Sequence, residues 1–441
     1  MKKIKVIDDI GIDNEETSNK DEVLKTVAED TMPEVNLEEL KSKLNKTMKS
    51  VSLKFGVIGC GHAGSRLAQS FYELGYAAIA INTATQDLTC IKLPEENKLF
   101  MDTGLNGAAK DLTRGYDAAE TYGSKIQELI NDKLSDSQVL IITTSTGGGT
   151  GAGSIPVVVE LAAATGKPVV IIGALPMVTE DVKTKSNSLE TLQKLSGYIA
   201  SGKVQSFILV DNGKIENIYS GIGQMEFYGI ANKAIVEPLD VFNEYSMKPS
   251  SFKALDSAEF ATLLLNSGGI STMGQILIKE YEGELAISQA IMQSLKNSVL
   301  VEGIDLSKAK NVGYMILANK KVWESIPAGA INYANALIND IFNNPECTYK
   351  GIYETGNKED VVRIYTFISG LGLPEERISG LKKEIDAQQL NIKSKDVERV
   401  NQLKVDLGKD KTVSNVDEIK ARISQMLSGL GKLTSLGKKN I

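Results

Sequence analysis

The chain has very few of the residues that metal sites, disulfide frameworks and histidine-based catalysts require. Among its 441 residues there is one histidine, His62, and there are three widely separated cysteines, Cys60, Cys90 and Cys347. A single histidine argues against Ser-His-Asp and Cys-His catalysis and against multi-histidine metal sites. The cysteines provide neither a zinc-site spacing nor a disulfide framework, so we expect a reducing, cytoplasmic location.

Signals for membrane insertion, export and general nucleic-acid binding are also missing. No run of about 18 apolar residues occurs, so no membrane span is expected. The polar N-terminus lacks the apolar core of a signal peptide. With 49 Lys and Arg against 56 Asp and Glu, the formal net charge is −7. That balance disfavours a protein whose whole surface binds nucleic acid, but it leaves room for a local basic patch.

The pattern of apolar residues predicts an α/β protein. Short apolar runs predict strands at residues 54–58, 76–81, 139–143, 168–172 and 207–210. Helical periodicity appears between them, and strands that alternate with helices indicate a parallel sheet covered on both faces. A second region has predicted strands at 311–317 and 361–367 and predicted helices at 284–295 and 328–342.

Changes in composition suggest how the chain is divided. We expect an extension with a leading helix at 1–52, a nucleotide-binding domain at 53–225, a central helix and linker at 226–249, a second α+β domain at 250–370, a long helix at 371–405 and a polar, basic tail at 406–441. The central helical pattern contains Pro238, which should kink or distort it.

A first glycine cluster, GCGHAG at residues 59–64, follows a predicted strand and opens a helix. Its spacing is that of a dinucleotide-binding loop, which is a weak signal when it stands alone. A dinucleotide site also needs an acidic residue at the end of the second strand, to hold the ribose hydroxyls. Asn82 occupies that position, which counts against an NAD-dependent enzyme.

A second cluster, STGGGTGAGS at residues 145–154, again joins a predicted strand to a helix. It lacks the Lys-Ser or Lys-Thr pair that closes a P-loop. Consecutive glycines nevertheless allow backbone N–H groups to converge on phosphate oxygens, and a helix N-terminus adds partial positive charge. The alternative is a tight strand-to-helix turn, which rarely needs so many glycines. Phosphate binding is therefore favoured.

The second cluster resembles the signature of the tubulin/FtsZ superfamily of GTPases. The resemblance continues in KFGVIGCGHAGSRLA at 54–68, INTATQDL at 81–88 and VDNGKI at 210–215, and in all it covers residues 36–395. SLKFG, GAAK and VRIYTFISGLGLP are most similar to the TubZ branch, which plasmids and phages encode. The resemblance implies a Rossmann-like GTPase domain with a parallel sheet, a long central helix and a second α+β activation domain.

The resemblance also implies a GTP/GDP site. Its phosphate contacts would be Gly61, His62, Ala63, Gly64, Ser65, Gly107, Ala108, Ala109, Gly147, Gly148, Gly149, Thr150 and Gly151, and Asn82 would also belong to the nucleotide site. Glu180 would contact the ribose, Asn232 the guanine edge and Tyr228 the face of the base. The alternative interpretation of Asn232 is an amide on a helix surface. Other members have glycine where His62 stands, so His62 is not expected to act as a general base.

Asp256 and Glu259 are spaced i, i+3 at the start of a predicted helix. Judged from the residues alone, both would be helix caps that favour the helix dipole. The resemblance implies that they are catalytic and enter the nucleotide site of the next subunit, so that hydrolysis requires polymerisation. Such a head-to-tail contact does not close and generates filaments. Mg²⁺ would bridge the β- and γ-phosphates mainly through waters, with no protein ligands predicted.

The implied function is a GTP-dependent filament that positions or segregates plasmid or phage DNA. An FtsZ-like division or scaffold filament is the alternative, although residues 437–441 show no clear membrane-anchor peptide. The tail combines an apolar stripe with Lys432, Lys438 and Lys439. It could dock on a subunit surface, recruit a DNA-binding adaptor or contact DNA directly. No sequence-specific DNA binding by the body is expected.

Overall fold

The computed structural model describes residues 50–402 except 220, 222 and 296–300. The predicted leading helix and the basic tail lie outside the described residues. The chain divides into two compact units, the first ending at Asp386 and the second starting at Ala387. In the second unit, residues 387–402 are helical. None of the described helices is both long enough and apolar enough to cross a bilayer.

The described strands form one sheet, in the order β3-β2-β1-β4-β5-β6-β7-β10-β8-β9. They are β1 Phe55–Cys60, β2 Ala77–Asn82, β3 Lys98–Phe100, β4 Val139–Ser145, β5 Val169–Leu175, β6 Ser206–Asp211, β7 Gly269–Ile278, β8 Asn311–Ala318, β9 Cys347–Glu354 and β10 Val362–Leu371. Strands β1 to β7 pair in parallel. Strand β10 runs antiparallel to both β7 and β8.

Helices fill the intervals between the strands. They are α1 Gly61–Glu73, α2 Thr85–Thr89, α3 Leu112–Thr121, α4 Gly123–Lys133, α5 Gly149–Ala163, α6 Val182–Ala200, α7 Asn212–Ile218, α8 Gln224–Tyr245, α9 Ser257–Leu265, α10 Ala286–Gln293, α11 Lys320–Ser325, α12 Ala328–Ile341 and α13 Glu375–Gln402. Pro238 lies inside α8 without ending it.

Two apolar cores cover the two faces of the sheet, because alternate residues of each strand point to opposite sides. Ile58 and Ile142 belong to one core, while Val57 and Ile141 belong to the other, and all four are fully buried. Strands buried on both faces give continuous apolar runs. The predicted parallel α/β sheet, the central helix and the second α+β region are therefore confirmed.

The strands that the apolar pattern missed are β3, β7 and β9. Strand β3 has only three residues. Strand β9 is buried only at Gly351, Ile352 and Tyr353, and its sequence CTYKGIYE mixes polar and apolar residues. Strand β7 begins GISTMG, where serine, threonine and two glycines interrupt the apolar run. One sheet runs through both predicted domains, since β6 pairs with β7.

Candidate nucleotide site and distant carboxylates

The two glycine clusters meet at the carboxyl ends of β1 and β4, which are neighbours in the sheet. Gly61 has a φ of +69°, a left-handed conformation that glycine adopts without strain. A Cβ atom on Gly61 would lie 2.7 Å from the backbone nitrogen of Gly151. The sequence-predicted phosphate loops are therefore in direct backbone contact.

Several glycines are also required by close packing between segments. A Cβ atom on Gly64 would lie 2.1 Å from the carbonyl oxygen of Thr143 in β4. Likewise, a Cβ atom on Gly153 would lie 2.4 Å from the carbonyl oxygen of Leu112. These distances are too short for any side chain. Packing between helices and strands thus explains part of the glycine content, a role that the sequence interpretation missed.

The helices that follow the two glycine loops begin without a capping side chain, at Cys60 for α1 and Gly148 for α5. Two nearby helices do have a capping side chain, Asp111 for α3 and Asp181 for α6, whereas α2, α4 and α8 also begin without one. An uncapped first turn leaves N–H donors for another acceptor, and the helix dipole favours an anion there. Both loops therefore end in donor-rich helix starts that suit phosphate oxygens.

A third loop closes on the second glycine cluster. Gly107, Ala109 and Lys110 have positive φ values of 108°, 47° and 59°. The Gly107 amide donates to the Thr83 carbonyl at 2.8 Å. The Asn187 side-chain amide donates to the carbonyls of Lys110, at 2.8 Å, and of Gly147, at 3.1 Å. Asn187 thus ties the third loop to the second glycine cluster, as the predicted roles of both loops require.

The first loop and the end of β2 share a polar cluster. The Nδ1 atom of His62 lies 2.8 Å from Asp87 Oδ1, and Asn82 Nδ2 donates to Asp87 Oδ2 at 3.0 Å. His62 is exposed, whereas Asn82 is 1 % exposed. Beside them, Ala63 is half-buried, and the buried Ser65 hydroxyl has no hydrogen-bond partner within the described residues. An unsatisfied hydroxyl at a phosphate loop is compatible with an anionic ligand.

The hydroxyls of Thr83 and Thr150 lie 2.6 Å apart and join β2 to the first turn of α5. Both side chains are buried. Ala108, in the third loop, is also buried and lies against Gly149: a Cβ atom on Gly149 would be 2.9 Å from that of Ala108. The sequence-predicted phosphate residues are thus gathered around the start of α5.

A cavity of about 110 Å³ opens beside the second glycine loop. Its lining includes Lys110, Gly147, Gly148, Glu180, Thr184 and Asn212. Glu180 accepts a hydrogen bond from the Met177 amide at 3.3 Å. The cavity therefore brings the predicted ribose residue next to predicted phosphate residues. Tyr228 and Asn232 are not part of this lining.

Tyr228 and Asn232 lie one turn apart on α8. The Tyr228 ring is 48 % exposed, and the Arg66 guanidinium of α1 lies 5.8 Å from its centroid. Asn232 is half-buried. Both positions remain predictions as base contacts, and α1 holds this end of α8 near the first glycine loop.

Asp181, which follows the cavity-lining residue Glu180, has a shifted pKa. Burial alone would raise the pKa of its carboxyl group. The Lys110 ammonium and the Thr184 amide outweigh that effect and lower the pKa to about 2. The Lys110–Asp181 ion pair is about half exposed on both sides, and exposed pairs of this kind are held weakly.

Asp256 and Glu259 form a reciprocal capping box at the start of α9. Asp256 Oδ1 accepts from the Glu259 amide at 2.8 Å, and Glu259 Oε2 accepts from the Asp256 amide at 3.0 Å. The capping role that the residues alone suggest is therefore present. Asp256 remains exposed, and Lys253 Nζ lies 3.7 Å from Glu259 Oε1. One oxygen of each carboxylate is outside the capping box.

The capping box lies near the amino-terminal end of β1, whereas the glycine loops lie at the carboxyl-terminal ends of β1 and β4. The Ser257 hydroxyl is 2.8 Å from the Ser52 hydroxyl, just before β1, whereas the first glycine loop follows β1. Six strand residues span about 20 Å. The helix α8 gives a second measure of the same separation: Tyr228 is near the first loop, Asn243 contacts Leu53, and the helix between them is about 22 Å long. The acids therefore do not reach the glycine loops of their own chain.

The sequence interpretation missed Thr83, Asp87, Lys110 and Asn187. Each lies beside a predicted residue, and Thr83, Asp87 and Lys110 fall inside the motifs INTATQDL and GAAK. Proximity within a motif could have indicated those three. Asn187 had no such signal, because the carbonyls that accept its hydrogen bonds belong to Lys110 and Gly147, which are 77 and 40 positions away in the sequence.

Comparisons with known proteins agree with this architecture. The description "Tubulin/FtsZ family, GTPase domain" matches residues 54–220, and "Tubulin/FtsZ-like protein TubZ-like, C-terminal domain" matches residues 247–382. The tubulin-like protein TubZ of Bacillus cereus is 25% identical over 380 residues, which cover 79% of this chain and 85% of that protein.

Solved structures share the fold. The GTPγS-form protofilament of Bacillus thuringiensis serovar israelensis TubZ superposes with a TM-score of 0.71 at 20% identity, covering 82% of this chain and 99% of that one. A type III plasmid segregation TubZ superposes with a TM-score of 0.65 at 18% identity, covering 85% and 100%.

The parallel sheet, the paired glycine loops and the matched domains define a nucleotide-binding GTPase. The chain belongs to the tubulin/FtsZ family, and its C-terminal domain is of the TubZ-like kind.

Proposed function

We propose that the protein forms head-to-tail filaments and hydrolyses GTP at the contacts between subunits. The observation that carries the proposal is the separation of Asp256 and Glu259 from the glycine loops by the full length of β1. If one subunit stacked on the next, the surface that carries Asp256 and Glu259 in one subunit would face the glycine loops of the other. Such a contact repeats without closing and produces a filament. A related TubZ structure is itself a protofilament.

Within each contact, the chain's own groups have separate tasks. Uncapped backbone N–H groups at the starts of α1 and α5 bind the phosphates. Glu180 contacts the ribose, while Tyr228 and Asn232 contact the base. The oxygens of Asp256 and Glu259 that lie outside the capping box position the attacking water. Positioning and charge stabilisation carry most of the catalysis in phosphoryl transfer, so a site rich in backbone donors and poor in bases is adequate.

We also propose that Mg²⁺ accompanies GTP, where it would offset the negative charge of the phosphates and would be held mainly by the nucleotide and by water. Among the described residues, no cluster of three or more His, Cys, Asp or Glu side chains could hold a metal ion. A nucleotide-bound, largely hydrated ion fits that composition. Chelation with EDTA should therefore stop turnover, and added Mg²⁺ should restore it. Undiminished turnover in EDTA would contradict this part of the proposal.

The role of Asp256 is tested by replacing its charge while keeping its cap. Asparagine caps helices as well as aspartate does, so Asp256→Asn should fold normally and assemble with GTP. Its turnover should fall by at least tenfold, whereas its filaments should sediment as well as wild type. Asp305→Asn is the matched control, because Asp305 is another exposed capping aspartate. Normal turnover by Asp256→Asn filaments would reject the assigned role.

The finer proposal is that the filament positions plasmid or phage DNA through an adaptor that binds the tail at 406–441. The net charge of −7 disfavours direct DNA binding by the body, and a related TubZ belongs to a plasmid segregation system. In cells carrying the gene, labelled filaments should move with the encoding DNA, and Asp256→Asn should increase its loss. A mid-cell ring and failed division would instead favour an FtsZ-like scaffold.

A further inference from the structure

We propose that Lys110 reads the terminal phosphate of the nucleotide by exchanging the Asp181 carboxylate for the γ-phosphate. This assignment rests on the proposed GTP site and adds a charged residue to it. Lys110 is the one basic side chain among the described residues that line the cavity beside the second glycine loop. Apart from the proposed Mg²⁺, Lys110 is therefore the positive charge that this lining could offer to a γ-phosphate, since the loop lacks the lysine of a P-loop.

The backbone of the third loop holds Lys110 in an unfavourable conformation. Ala109 and Lys110 are consecutive non-glycine residues with positive φ, an unfavourable arrangement that persists only when the surroundings impose it. Here the surroundings are the Asn187 side chain, which binds the Lys110 carbonyl, and the Thr83 carbonyl, which binds the Gly107 amide. The strain fixes where the Lys110 side chain leaves the backbone.

Lys110 also lies next to the helix start that is expected to hold the phosphates. A Cβ atom on Gly149, the first residue of α5, would lie 2.9 Å from the Lys110 backbone nitrogen. The Asn187 amide bridges Lys110 to Gly147. The backbone of Lys110 is therefore packed directly against the uncapped N-terminus of α5.

The present partner of Lys110 is suited to exchange. Asp181 is already occupied by capping α6, where its Oδ1 accepts from the Thr184 amide at 2.9 Å. Lys110 contacts the other oxygen, Oδ2. Both ends of the ion pair are about half exposed, so it contributes little free energy. A terminal phosphate carries more charge than the carboxylate and would draw the ammonium away, while Asp181 kept its cap.

The test is equilibrium binding of fluorescent GDP and GTPγS to the full chain, at concentrations too low for assembly. Lys110→Met should weaken GTPγS binding by about tenfold to a hundredfold, the range expected for a hydrogen bond to a charged group, and should change GDP binding by less than about twofold. Lys110→Arg should retain the preference for GTPγS. Lys203→Met is the matched control, because Lys203 pairs with Glu160 at similar exposure.

Asp181→Asn supplies the reciprocal measurement and keeps the cap of α6. Removal of the competing charge should strengthen GTPγS binding without a matching gain for GDP. Equal losses of both nucleotides in Lys110→Met, or unchanged GTPγS binding in Asp181→Asn, would overturn the assignment. A wild-type chain that binds neither nucleotide would overturn the proposed GTP site itself, and the two failures are therefore distinguishable.

Discussion

Asp256 and Glu259 each accept a hydrogen bond from the backbone amide of the other, at 2.8 and 3.0 Å. The same pair therefore starts helix α9 and presents carboxylate oxygens at the edge of the sheet opposite the glycine loops. The capping role does not conflict with the proposed catalytic role, because a carboxylate has two oxygens and the capping box uses one of each.

The capping role predicts that alanine and asparagine substitutions at Asp256 will differ in stability. Asp256→Ala removes the cap and should lower the free energy of unfolding by about 1 kcal/mol, whereas Asp256→Asn should change it by only a few tenths. Urea denaturation of both variants measures the difference. Equal destabilisation by both would show that the cap contributes nothing measurable.

Gly64 should not tolerate a side chain. Because its Cβ would lie 2.1 Å from the Thr143 carbonyl oxygen, Gly64→Ala should displace α1 from β4 and abolish nucleotide binding, with a substantial loss of stability. The control is Gly123→Ala in α4, where no atom lies within 4 Å of the added carbon. It should be neutral or stabilising by up to about 1 kcal/mol. Nucleotide binding that survives in Gly64→Ala would contradict the packing described for the first loop.

Arg377 should be a strong determinant of stability. Its Nε atom donates to the buried Asp211 at 2.8 Å, and its Nη2 atom donates to the Pro176 carbonyl at 2.8 Å. Arg377→Ala would leave the carboxylate uncompensated and should cost roughly 3–5 kcal/mol. Arg399→Ala, in an exposed pair with Asp396, should cost less than about 1 kcal/mol. Similar thermal denaturation midpoints would refute the distinction.

The Arg377→Ala defect should depend on pH. Burial raises the pKa of Asp211 above its ordinary value of 3.8, and Arg377 opposes that rise. Without the guanidinium the pKa rises further. A buried acid whose pKa is higher in the folded than in the unfolded state is tolerated while it is protonated. As pH rises through the folded-state pKa, the acid ionises and the free energy of unfolding falls. The variant's deficit should therefore be larger at neutral pH than near pH 3.8, as measured by urea unfolding at both pH values.

Tyr76 anchors the start of β2 to the far half of α8. Its hydroxyl donates to Asp240 at 2.7 Å and accepts from Asn243 at 3.0 Å, all within a buried region. Tyr76→Phe removes both hydrogen bonds and should cost roughly 1–3 kcal/mol. Tyr116→Phe, at an exposed tyrosine that contacts Glu120, should be near neutral by the same unfolding measurement. An equally small effect of Tyr76→Phe would mean that this anchor does not hold α8.

The parallel strands were predictable because strands buried on both faces are short, continuous apolar runs, as in VLIIT at residues 139–143. Strands β7 and β9 were not, since their polar residues and glycines break that pattern. The glycine loops could be located because each joins a strand to a helix. Their contacts with Thr83 and Asn187 could not, because these contacts join residues 67 and 40 positions apart in the sequence. That glycines such as Gly64 exclude side chains by packing also required coordinates.

The position of the acids relative to the glycine loops is the central element of the account, and turnover per molecule tests it most directly. GTP hydrolysis by the wild-type chain should be measured across a range of protein concentrations, with sedimentation of the same samples. If Asp256 and Glu259 act on the nucleotide of the next subunit, the rate per molecule should be near zero at low concentration and climb where sediment first forms. A rate per molecule that is the same at every concentration would contradict hydrolysis between subunits.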